Sequence, residues 1–164
     1  MSTAEKSGAS SRVAVLGAGP GGYAAAFRAA DLGLEVTLID PETNPGGVCL
    51  YRGCIPSKAF LHVARVIREA RDADEWGVSF AAPRIDLAKL REWKESVVAK
   101  LTSGLAALAK ARGVRQIQGR ATFIDAHTLT VDGARPGRHK VEFDHAIIAT
   151  GSRPALPDAL VLDS

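Results

Sequence analysis

The chain carries two cysteines, Cys49 and Cys54, and both lie in one stretch, GGVCLYRGCIPSK, over residues 46–58. Thiols this close can cycle between dithiol and disulfide, form a structural bridge, or be unrelated; the spacing alone leaves the three open. No metal is expected. Zinc sites usually take C-x2-C-type pairs with a second ligand pair, and here the four histidines are scattered. The residues after Cys54 read as a helix, and Pro56 suits its first turn because its missing N–H would be unpaired there anyway. Cys54 then sits at a helix N-terminus, where the partial positive charge favours a thiolate, and Lys58 adds a full positive charge about one turn on. On a regular helix, residues five apart have Cα atoms roughly 8–9 Å apart, whereas a disulfide needs about 4.4–6.8 Å. A bonded pair therefore demands a break between the cysteines, and Gly53 permits one.

The elements that would position this stretch precede it. Arg12–Leu16 (RVAVL) is a short apolar run of strand type and feeds directly into GAGPGG, which matches G-x-G-x-x-G at Gly17, Gly19 and Gly22. Residues 23–32 are alanine-rich and helical, stopping at Gly33; residues 35–39 (EVTLI) form a second strand, closed by Asp40. Asp40 falls close to the position expected for a ribose-binding acid. Glycines let the backbone approach a pyrophosphate while the helix N-terminus stabilises its charge. Within this strand–loop–helix–strand–acid order the motif predicts a dinucleotide, without separating FAD from NAD. A tight βα turn with no ligand is the structural alternative.

The string GGVCLYRGCIPSKAFLH resembles the active-site segment of the pyridine nucleotide-disulfide oxidoreductases, most closely their dihydrolipoamide dehydrogenase branch. The ending Ile55-Pro56-Ser57-Lys58 favours that branch over glutathione reductase, and mercuric reductase, more often with Val in place of Ile55, is nearer. The segment WKESVVAKLTSGLAALAK is similar to the matching part of the same branch. The resemblance implies an α/β fold: a Rossmann-like FAD-binding domain with a parallel sheet, flanking helices and a small antiparallel β-meander. It implies FAD on residues 17–22 with its ribose held by Asp40, and cofactor contacts from Gly47, Val48, Lys58, Thr150, Gly151 and the backbone near Ala121. It also implies a redox-active Cys49–Cys54 disulfide, with Cys49 as the outer, interchange thiol and Cys54 as the inner one beside the flavin. Dihydrolipoamide, carried by a 2-oxo acid dehydrogenase complex or the glycine cleavage system, would reduce that disulfide, and the electrons would pass through flavin to NAD. A homodimer is implied for the full-length protein.

Two departures from the family pattern stand out. Tyr51-Arg52 replaces the more usual Asn-Val between the cysteines, so Arg52 would either lower a neighbouring thiol pKa or point to solvent. Val48 takes a place where many relatives have Thr, which removes a hydroxyl contact to the cofactor.

Further along, Ile55, Ala59, Val63, Ile67 and Ala70 form a helical stripe, with Lys58 off it by one position and His62 on the surface. Residues 74–84 read as a loop. Asp86 is the expected N-cap of a long helix that packs into the core through Leu87, Leu90, Val97, Leu101, Leu105 and Leu108, up to Gly113. Residues 114–118, 121–124, 128–131 and 140–143 read as short strands separated by turns at 119–120, 125–127 and 133–138. Residues 146–149 (AIIA) look like a buried strand running into Thr150-Gly151, which resembles the family's second flavin-domain signature. Expected boundaries are a frayed tail over 1–11, a first segment of the FAD-binding domain over 12–152, and over 153–164 the start of a linker to a nicotinamide-binding domain. A second G-x-G-x-x-G, the Gly-Asp half-motif and an interface-domain His–Glu pair are not found; His139 and Glu142 do not resemble that pair. A non-catalytic FAD-binding fragment is therefore an alternative to a complete enzyme.

Composition narrows the classes. With 46% hydrophobic and 24% charged residues the chain is of soluble globular type. A net charge of +3, from 21 basic and 18 acidic residues without a basic block, does not argue for nucleic acid. No stretch approaches the roughly 18 apolar residues of a membrane span. Two cysteines without an export signal predict a cytoplasmic setting, where a cysteine pair is more often catalytic than structural.

Overall fold

The computed structural model describes residues 10–133, 139–153 and 155. Residues 1–9 of the tail expected over 1–11, residues 134–138 of the expected turn, and residues 154 and 156–164 of the expected linker lie outside the described residues. Strand β1 (Arg12–Leu16) leads into helix α1 (Pro20–Asp31), and β2 (Glu35–Asp40) follows. The cysteine stretch forms two helices, α2 (Gly47–Tyr51) and α3 (Cys54–Asp72). A 3-10 turn at Ala73–Trp76 and an irregular segment then lead to α4 (Leu87–Ala111). Four strands close the described chain: β3 (Arg115–Phe123), β4 (Thr128–Gly133), β5 (His139–Glu142) and β6 (His145–Ile148).

The strand order is β5-β4-β3-β2-β1-β6. β3, β2, β1 and β6 run parallel, and β3, β4 and β5 form an antiparallel meander. This is the expected α/β architecture. β1 alternates between two cores. Val13 and Val15 join Val36, Leu38, Ala26, Ala29 and Ala109 beneath the helices, while Ala14 and Leu16 join Leu129, Val131, Val141 and Phe143 from the meander. A parallel strand covered on both faces has no polar face to show, which is why RVAVL and EVTLI read as near-continuous apolar runs.

Three expectations are corrected. The strands expected at 114–118 and 121–124 are one strand, β3, whose first half pairs with β2 and second half with β4. Gly119 bends this strand instead of ending it: its φ is +156°, and a Cβ there would lie 2.5 Å from the Asp132 carbonyl oxygen. The stripe expected to bury α4 is offset by one position. Val98, Thr102 and Ala109 are buried, while Leu87, Leu101 and Leu108 stay 60%, 42% and 47% exposed. Small side chains occupy the face that meets the rest of the chain, since a Cβ on Gly46 would come within 3.1 Å of Thr102 Cγ2. Third, the AIIA strand is exposed along most of its length, because among the described residues β6 is the edge of the sheet.

Other readings hold. Asp86 caps α4, accepting from the N–H groups of Ala88 and Lys89 at 3.0 and 3.1 Å. The stripe Ile55, Ala59, Val63, Ile67 and Ala70 is the sheltered face of α3. His62 is exposed, beside the Trp93 ring of α4.

Candidate functional site

The site is assembled at the carboxyl end of β1, where backbone meets backbone at three glycines. Gly17 has φ +95°, and a Cβ there would lie 2.3 Å from the Ala149 carbonyl oxygen. A Cβ on Gly22 would lie 1.7 Å from the Gly17 carbonyl oxygen. Gly47, with φ +58°, would place a Cβ 2.5 Å from the Gly19 Cα. Only glycine fits any of these positions, so the loop at 17–22, the end of β6 and the start of α2 share one surface. Gly19 begins α1 without a side-chain cap and Pro20 occupies the first turn, so the positive end of the helix dipole is left to an anion.

Asp40 closes this loop from the side. One carboxylate oxygen accepts from the Ala18 N–H at 2.6 Å and the other from the Glu42 N–H at 2.8 Å. Lone pairs remain on both oxygens for a hydroxyl partner. A crevice beside it is lined by Ala18, Asp40, Glu42, Asn44, Gln116 and Gln118. The larger cavity, about 290 Å³ and lined by Arg12, Thr37, Arg115 and Lys140 among others, contains none of the motif residues.

The cysteines stand immediately beyond. Cys49 lies in α2, Arg52 and Gly53 interrupt the helix, and Cys54 opens α3. The break that a close pair required is thus present. Gly53 makes it compact, because a Cβ there would press to 3.1 Å on the Val48 carbonyl oxygen. Both thiols are free, Cys49 half-buried and Cys54 exposed. The Cys49 thiol is pushed above its ordinary range, first by its side-chain hydrogen bond with Cys54, then by burial and by the charge of Cys54. The Cys54 backbone N–H and the Lys58 charge act the other way. Lys58 itself is exposed on the first turns of α3.

The remaining expected residues divide. Thr150 borders Gly17, its Cα 3.1 Å from where a Cβ on Gly17 would sit. Gly151 follows in open space with φ +77°. Val48 is 65% exposed, an apolar side chain on the open side of α2. Ala121 lies apart from the glycine loop, on β3 three residues beyond Gln118, the partner of Asp40. Arg52 is exposed, as one of its two expectations had it, and its charge pairs with Glu42, while Cys49 responds to Cys54, burial and Lys58. Glu42, Asn44 and Gln118 were not legible as site residues, because nothing in their spacing marks a loop that folds back on the cysteine segment. Among the described residues there is no group of three or more His, Cys, Asp or Glu side chains that could hold a metal ion. Nor, among them, is any helix long and apolar enough to cross a membrane.

The family model for pyridine nucleotide-disulphide oxidoreductases matches residues 11–160. This chain belongs to that family. It is 57% identical over 143 residues to a dihydrolipoyl dehydrogenase of Haemophilus influenzae and 53% identical over 143 residues to one of Vibrio cholerae. A dihydrolipoyl dehydrogenase of Halobacterium salinarum is 50% identical over 144 residues. Each match covers 87% of this chain but 30% of the relative, so the chain spans under a third of the length of the curated relatives it matches.

Proposed function

We propose that the chain is the FAD-binding, dithiol-bearing part of a dihydrolipoamide dehydrogenase, which oxidises dihydrolipoamide and reduces NAD in the full-length protein. The observation that carries this reading is the contact of Gly47 with Gly19, which starts the cysteine helix on the anion-binding loop. A redox pair and a phosphate cradle that share one backbone contact suit a cofactor that reaches from one to the other. The glycine contacts and the free lone pairs of Asp40 support FAD as the ligand: Gly17, Gly19 and Gly22 would admit its pyrophosphate, Asp40 would hold its ribose, and Val48, Lys58, Thr150 and Gly151 would contact it on the way to the thiols. Ala121 would meet the adenine through its backbone. When bound, FAD would supply the two-electron acceptor for the dithiol; NAD would bind outside this chain.

In the oxidised form Cys49 and Cys54 share a disulfide. A thiolate of the substrate dithiol attacks Cys49 Sγ, and the S–S bond breaks with its electron pair leaving on Cys54. The second substrate thiol then displaces Cys49, so the substrate leaves as a cyclic disulfide and both cysteines are reduced. Cys54 is the suited leaving group, standing at the start of α3 with Lys58 one turn on. Its exposure supports the reading that a flavin ring would cover this sulfur. The natural substrate would be a lipoyl group on a 2-oxo acid dehydrogenase complex or the glycine cleavage system, served by a cytoplasmic homodimer.

The test is to incubate the chain with FAD, desalt it, and record the visible spectrum before and after adding a dithiol. A retained flavin spectrum that gains a long-wavelength band, and loses that band in Cys54→Ser, is expected. Protection of Cys49 and not Cys54 from alkylation by FAD would reverse the two cysteine roles. Lipoamide, glutathione and Hg(II), compared as substrates of the full-length protein, separate this reading from other disulfide reductases. A second reading, FAD binding without turnover by these 164 residues, is favoured by the 66% exposure of Ile148 at the sheet edge beside the loop. Lipoamide-dependent NADH formation by this chain alone would exclude it.

A further inference from the structure

Tyr51 and Arg52, the residues between the cysteines that depart from the family pattern, are both tied to one short loop. The Tyr51 hydroxyl donates to the Asn44 carbonyl at 3.1 Å, and the Arg52 guanidinium pairs with the Glu42 carboxylate. That loop is itself anchored. Asp40 accepts from the Glu42 N–H, Gln118 Nε2 donates to the Pro41 carbonyl at 3.1 Å, and Pro45 is fully buried. The Gly46 N–H donates to the Ala18 carbonyl at 2.8 Å. The end of α2 is therefore fastened at two points to a support built on β2 and β3. The break that follows has no side-chain cap of its own.

We infer that Tyr51 and Arg52 are positioning residues for the cysteine pair: by fastening the α2–α3 break to the 42–44 loop they keep the two sulfurs within bonding reach and favour disulfide over dithiol. Their action is mechanical. The Arg52 charge is matched by Glu42, whereas Cys49 responds to Cys54, to burial and to Lys58. An ion pair with Arg52 63% exposed adds little to global stability. Its effect falls instead on the local equilibrium it orders.

The inference rests on the redox reading of the pair, and the reaction that reports on it is balanced. The two thiols and one oxidised glutathione give the Cys49–Cys54 disulfide and two reduced glutathiones, with two electrons and two protons moving to glutathione. The chain is equilibrated across ratios of oxidised to reduced glutathione, quenched in acid, and its free thiols counted by mass after alkylation. The variants are Tyr51→Phe, Arg52→Gln, their double, and the charge swap Glu42→Arg with Arg52→Glu.

The equilibrium constant for disulfide formation should fall about three- to tenfold in the double variant, the scale of one or two exposed polar contacts. Each single variant should fall less and the swap should recover most of the Arg52 loss, with far-UV circular dichroism and thermal midpoint unchanged. A double variant within twofold of wild type, or a swap that recovers nothing, overturns the clamp while leaving the redox reading intact. A shift in the pH dependence of Cys49 alkylation in Arg52→Gln overturns it in favour of an electrostatic role. If the unmodified chain forms no intramolecular disulfide at any ratio, the redox reading fails and the clamp fails with it.

Discussion

β1 and β6 lie side by side, run in the same direction and pair from Val13 with His145 to Leu16 with Ile148. Both are rich in apolar residues, yet their surroundings differ. Val13, Ala14, Val15 and Leu16 are all buried, with helices on one face and the meander on the other. In β6 only Ile147 packs against the helix-side core, and Ile148 is 66% exposed. An apolar run records the cover a strand is suited to; actual cover depends on which neighbours are present. Among the described residues, β1 has β2 on one side and β6 on the other, whereas β6 has β1 alone.

Substitutions around these covered and uncovered strands should separate in size. Gly22→Ala should cost most, since its Cβ would meet the Gly17 carbonyl oxygen at 1.7 Å and its carbon at 2.8 Å, backbone that cannot swing aside. A loss above about 4 kcal/mol, or no cooperative unfolding in urea, is expected. Leu38→Ala, in the covered β2 beside β1, should cost about 2–5 kcal/mol by the same measurement. Ile148→Ala should change stability by no more than about 0.5 kcal/mol, while reducing binding of a dye for exposed apolar surface. An Ile148→Ala loss as large as that of Leu38→Ala would break the comparison, for it would mean that β6 is covered.

The smallest effects belong to groups whose protons report on the site. Cys54→Ala removes the first cause of the raised Cys49 pKa, so the midpoint of Cys49 alkylation against pH should move down. The interaction favours protonated Cys49; its stability contribution is present below the ordinary thiol range and is lost as pH rises through the raised value. At the start of β6, Asp144 accepts from the Arg12 guanidinium at 3.1 Å and from the Arg12 N–H at 2.7 Å, and these bonds, the guanidinium's first, hold its carboxyl below the usual range. That contribution is present above the ordinary carboxylate value and is lost as pH falls through the depressed one. Asp144→Asn should therefore lower the thermal midpoint slightly at neutral pH and not at all in strong acid. Added salt should shrink the difference, because the pair is exposed.

Much of this was legible because it is local. The strand–glycine–helix order, the Asp86 cap and the sheltered stripe of α3 each depend on residues a few positions apart. The need for a break between the cysteines followed from helix geometry alone. The errors share a different origin. In sequence Gly119 reads as an interruption, because a glycine in a strand looks the same whether the strand stops or bends. The α4 leucines read as core in sequence, because helical period shows that one face is apolar, not which flank the sheet side will meet. The Arg52–Glu42 pair was out of reach, since two opposite charges ten positions apart carry no signal of contact.

The sequence by itself determined the chemistry on offer: a glycine loop at a helix start, an acid after the second strand, and two thiols with a glycine between them. These follow from residue types and near-neighbour geometry, which the chain carries wherever it folds. The tertiary structure alone decided that Gly47 rests on Gly19, that Asp40 spends its first hydrogen bonds on backbone, and that the cysteine break is tied to the 42–44 loop. Those are long-range contacts, settled only when the sheet fixes its order and the helices choose a face.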